Sequence, residues 1–118
     1  MKAFTDISQS KKLAEILPIE TADMFYDQYG VIRIGNPKER YSDYHQLPVW
    51  SLAALLDVIP KRIKEYNVLR IDIGEKDFAI WYDEIGYGVN NDLPDITMKS
   101  AVDACTEMII KLNELKML

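Results

Sequence analysis

Met98, Ala101, Val102, Cys105, Met108, Ile109, Leu112 and Leu115 recur at steps of three and four residues, so on a helix they form one continuous apolar stripe. This is the longest predicted helix, and Asp95 or Thr97 is placed to cap its N-terminus. Two shorter stripes precede it. In SQSKKLAEILP, Leu13, Ile16 and Leu17 share a face, Ser8 or Ser10 is the expected N-cap, and Pro18 ends the run. In WSLAALLDVIPK, Leu52, Leu55, Leu56 and Ile59 follow the i, i+3, i+4, i+7 pattern behind Ser51 as N-cap, and Pro60 closes the helix. Each of those four side chains contributes about 1.5 to 3 kcal/mol once buried, so packing rather than length holds so short a helix.

The period changes from 3.6 to 2 in NVLRIDI and DFAIWYD, two β-branched and aromatic runs separated only by Gly74, Glu75 and Lys76. They predict a hairpin. If Ile73 pairs with Phe78, then Leu69, Ile71 and Ile73 share a face with Phe78, Ile80 and Tyr82, six core residues in one layer covered by helices. The other face then carries Val68, Arg70 and Asp72 beside Ala79, Trp81 and Asp83, with Arg70 directly across from Trp81 and its guanidinium able to stack on the indole. A slip of one residue would bury Trp81 and strand Phe78, Ile80 and Tyr82 beside charge, which excludes it.

A second hairpin is predicted from TADMFYD and VIRIG, with Gly30 supplying the turn conformation. The segments GNPKER and EIGYGVNNDLPD read as loops, and YSDYHQL as an extended piece leading to Pro48. The order is helix, hairpin, extended piece, helix, hairpin, helix. Two hairpins without βαβ alternation imply a single α+β domain over residues 1–118, a two-layer arrangement of an antiparallel sheet with helices packed on one face.

A length of 118 residues fits one domain, and 48% apolar with 28% charged residues is ordinary globular usage. With 19 acidic and 14 basic side chains the formal charge is −5, which argues against nucleic acid as a partner, since phosphate binding draws on a Lys/Arg excess. One cysteine excludes an intrachain disulfide and a cysteine-based metal site, and fits the reducing cytoplasm. The N-terminal residues MKAFTDISQSKK lack a signal-peptide pattern, and no apolar run is long enough to span a membrane.

Candidate chemistry is sparse. The only histidine, His45, would lie on the same side of an extended segment as Tyr41 and Asp43, so Asp43 could orient the imidazole. Ser42 and Tyr44 would point the other way, and no GxSxG elbow exists, so a structural or surface role outweighs a catalytic one. DIGEKD departs from a calcium loop, no metal set forms from one histidine and one cysteine, and no cofactor is implied. Cys105 belongs to an apolar stripe and should be inert. IGYGVN is a lone GxG, better read as a turn than a phosphate loop, and the acid pairs Asp83/Glu84 and Asp92/Asp95 read as solvated carboxylates. The cations Lys61, Arg62 and Lys64 suit a helix C-terminus.

LPIETADMFY at 17–26, LPVWSLAALLDVIP at 47–60 and AVDACTEMIIKLNEL at 101–115 together resemble small uncharacterised bacterial proteins, often encoded in prophage or other mobile-element settings. The resemblance rests on packing features, implies an intracellular accessory protein, and carries over no catalytic residue. Two functions follow as expectations. One is a noncatalytic interaction module meeting an unknown protein partner or a second copy through Arg70 and Trp81. The other is a small enzyme or ligand-binding protein using Tyr41, Asp43 and His45.

Overall fold

The computed structural model describes residues 2–37, 46–84 and 93–118. It is an α+β structure in which the strands of both sheets pair antiparallel. The chain divides into two units, Met1–Val58 and Ile59–Leu118.

In the first unit, α1 (Ile7–Ala14) and a 3-10 turn (Ile19–Thr21) precede β1 (Met24–Tyr26), β2 (Ile32–Ile34), β3 (Leu47–Val49) and α2 (Leu52–Val58). The cap of α1 is Asp6, not Ser8 or Ser10: its Oδ1 accepts from the Gln9 N–H at 2.8 Å, and Gln9 Oε1 accepts from the Asp6 N–H at 3.1 Å. A carboxylate paired reciprocally with a glutamine at N3 satisfies two orphan N–H groups, which neither serine could do alone. Ser10 is instead buried, its hydroxyl 2.7 Å from that of Thr5.

The sheet order is β2-β1-β3. Gly30 takes φ +77° in the β1–β2 turn as expected, and Asp27 braces that turn by accepting from the N–H groups of Tyr29 and Val31. Pro48 lies inside β3, which its edge position tolerates because a proline has no N–H for a second neighbour. Trp50 is fully buried with its Nε1–H donated to Thr21 Oγ1 at 2.8 Å. Ser51 caps α2 as expected, accepting from the Ala54 N–H, while its own hydroxyl donates to Asp23.

The second unit holds β4 (Arg62–Ile63), β5 (Asn67–Ile73), β6 (Phe78–Glu84), β7 (Asp95–Met98) and α3 (Ala101–Glu114), with sheet order β4-β5-β6-β7. The two hairpins therefore belong to separate sheets. The β5–β6 hairpin is flanked on both sides within its own half of the chain, by β4 and β7, and the β1–β2 hairpin recruits β3. The β5–β6 register is the expected one, with Ile73 across from Phe78 and Arg70 across from Trp81.

The expected layer of six core residues is only half present. Phe78, Ile80 and Tyr82 are buried, Leu69 is half-buried, and Ile71 and Ile73 are exposed. The reason is the footprint of α3, which packs against β6 and β7. Asp95 and Thr97 cap nothing; they are strand residues, and Ser100 caps α3 by accepting from the Asp103 N–H. Ile96 and Met98 extend the apolar rows of Ile80 and Phe78 across the sheet, which draws this segment into β7 and removes Met98 from the helix. Val102, Cys105, Met108, Ile109 and Leu112 are fully buried, whereas Leu115 is exposed.

Candidate functional site

The sheet face opposite α3 is built around Trp81. Its cross-strand neighbours are Arg70 on β5 and Asp95 on β7, and the next row along holds Arg62, Val68 and Asp83. Period-two alternation puts all of these on one face. The indole is half-buried, and the charged side chains around it are exposed. Arg70, brought beside the indole by the register, makes an ion pair with Asp83, Nε to Oδ2 3.6 Å. Both partners are half exposed, so the pair contributes at most about 1 kcal/mol.

Where β7 begins, the sheet opens. Backbone alternation is set by two bonds at 2.9 Å, Leu69 N–H to the Lys61 carbonyl and Gly74 N–H to the Asp77 carbonyl. Continued across β6, it turns the N–H and C=O of Tyr82 and Glu84 toward the β7 side. Pairing with β7 stops at Trp81 and Asp95, and the next residue, Pro94, has no N–H to give to the Tyr82 carbonyl. A cavity of about 350 Å³ occupies this opening, with Trp81, Tyr82, Asp83 and Glu84 on one side and Leu93, Pro94 and Asp95 on the other. Among the described residues that line it, three are carboxylates and none is cationic. One carboxylate oxygen of Glu84, Oε1, is buried without a hydrogen-bond partner. Tyr82 donates its hydroxyl to the Pro60 carbonyl at 2.6 Å, and burial pushes its phenol pKa upward.

Arg70 and Trp81 are thus brought together, and Tyr41, Asp43 and His45 lie outside the described residues. Asp95, Glu84 and Pro94 were not legible as parts of one site, because the acids at 83 and 84 and those at 92 and 95 fall in separate stretches of sequence. The alternation of Ile96 and Met98 was the signal that would have joined them, by making β7 a strand. Among the described residues no group of three or more His, Cys, Asp or Glu is arranged to hold a metal ion. None of their helices is long and apolar enough to cross a membrane. Cys105 is buried among apolar side chains, where desolvation pushes its thiol up to about 12, partly opposed by the Lys61 charge.

Comparison with known proteins gives no match: no family model, no curated protein and no solved structure aligns with the chain.

Proposed function

We propose that the chain is an intracellular accessory protein, a noncatalytic interaction module that meets a protein partner through the sheet face centred on Trp81. The observation that carries this is the indole itself, held partly exposed between Arg70 and Asp95 at the mouth of an acid-lined cavity. Tryptophan, tyrosine and arginine anchor interfaces because they combine a large apolar area with a few directional polar groups. A partly exposed indole flanked by opposite charges supplies both.

Capture from native-host lysate on immobilised wild-type chain, Trp81→Ala and a surface control, Tyr66→Ala, tests the proposal. A species retained by wild type and Tyr66→Ala but lost with Trp81→Ala supports it. Identical capture by all three overturns it. Concentration-dependent mass in light scattering, abolished by Trp81→Ala, would identify the partner as a second copy.

A further inference from the structure

We infer that the outer edge of β5 over residues 70–73 takes an antiparallel strand of a partner protein, with a basic residue across from Asp72 and an apolar residue on either side of it. This goes beyond the Trp81 reading and does not rest on it. β4 accompanies β5 only as far as Lys61, whose carbonyl takes the Leu69 N–H at 2.9 Å, and among the described residues no strand lies outside Arg70 to Ile73. The alternation fixed there, and at the other end by the Gly74 N–H bond to the Asp77 carbonyl, turns the N–H and C=O of Ile71 and Ile73 away from β6. No described residue accepts from either N–H. All four side chains from Arg70 to Ile73 are exposed. Open edges are ordinarily blunted by lysine, proline or a bulge, yet this stretch holds neither residue and pairs with β6 without interruption.

The edge itself specifies its occupant. Outward N–H and C=O groups on alternate residues match a backbone of the same period, a strand and not a helix. Ile71 and Ile73 lie on the α3 side of the sheet, where apolar residues across from them would shelter both. Asp72 points to the other face and makes no ion pair with any described residue, whereas Arg70 already has Asp83 for a counter-charge. A lysine or arginine directly across from Asp72 supplies the charge that this edge lacks. A second copy fits worse. Two β5 edges paired about Asp72 would set carboxylate against carboxylate. Paired about Ile71, they would drive the copy's Ile73 into the place that Lys61 holds, and paired about Ile73 they would set Ile71 against the turn residue Glu75.

The test is NMR on the full chain, beginning with amide exchange. In the free protein the Ile71 and Ile73 amides should exchange faster than those of Arg70 and Asp72, because only the latter donate to β6. Titration with acetyl-Thr-Val-Lys-Val-Thr amide should then give saturable shifts at Ile71, Asp72 and Ile73 and slow the exchange of the two outward amides. The same peptide with glutamate at its centre should bind about fivefold more weakly, the worth of one cross-strand charge pair. Asp72→Lys, a change at an exposed side chain, should reverse that order. No saturable shift, or equal binding of the two peptides with no reversal in Asp72→Lys, overturns the inference. Slow exchange of both outward amides in the free chain would show a closed edge and overturn it too. Protection of those amides that grows with chain concentration, with a doubled mass in light scattering, would give the edge to a second copy and reject the partner strand.

Discussion

Ile73 stands directly across from Phe78 in the β5–β6 hairpin, yet Phe78 is 6% exposed and Ile73 is 78% exposed. Cross-strand pairing puts the two on one face, but α3 covers only the part of that face formed by β6 and β7. Register sets direction, and the position of the helix sets burial.

The two positions should therefore respond very differently to truncation. Phe78→Ala should cost about 3–5 kcal/mol, while Ile73→Thr should stay within about 0.5 kcal/mol of wild type. Urea denaturation of both variants checks this, and comparable losses would mean that the face is covered to its edge.

Asn67 is buried where β4 turns into β5, and its Nδ2–H donates to the Ile63 carbonyl at 3.2 Å. Lys64 and Glu65 sit in that turn at φ 53° and 64°, conformations that L side chains adopt reluctantly. Asn67→Ala should cost about 1 kcal/mol by removing this buried side-chain hydrogen bond. Glu65→Gly should leave the thermal midpoint unchanged or raised, since glycine takes the left-handed region without strain. A marked fall with the glycine would place other contacts at that turn.

Asp6 carries the N-terminus of α1. The Gln9 N–H and the Lys2 ammonium 2.9 Å away hold its carboxyl below the ordinary 3.8. Its ionised form is thus favoured by folding, so its contribution is complete above 3.8 and is lost as pH falls through the lowered value. Asp6→Ala should remove about 1 kcal/mol at neutral pH, and Asp6→Asn, which still accepts from N3, should retain most of the stability. Thermal melts of the three chains between neutral and acid pH provide the check: the acid fall should be shallower in Asp6→Ala.

Cys105 gives the opposite limb. An unfolded thiol ionises near 9.0, and the folded one keeps its proton to about 12. Between those values the unfolded state binds fewer protons, so stability that is complete below 9 declines as pH rises toward 12. Cys105→Ala should flatten part of that decline. Thiol labelling of the native chain should be slow and accelerate with urea; fast labelling without unfolding would place Cys105 at an accessible surface.

Much of the framework was legible because it is periodic. The β5–β6 register followed from face alternation alone, the stripe from Val102 to Leu112 marked the buried side of α3, and Gly30 marked the first turn. Short elements were not legible. β4 is two residues long, and β7 borrowed residues that also fit a helix start, because Met98 continues the α3 stripe at the correct spacing. The cavity was hidden for the same reason, since Asp95 meets Glu84 and Asp83 only through β7. Alternation did bring out Arg70 and Trp81, but not that Arg70 pairs with Asp83, a residue one row along on the same face.

The most direct test of the Trp81 face is a paired measurement on Trp81→Ala, its association with the captured partner and its thermal midpoint in the same buffer. If the indole is a contact residue, association falls by tenfold or more, as for an interface anchor, about 1.4 kcal/mol or above, and the midpoint stays nearly unchanged. A large drop in the midpoint with association intact would make Trp81 a packing residue and contradict the proposed contact surface.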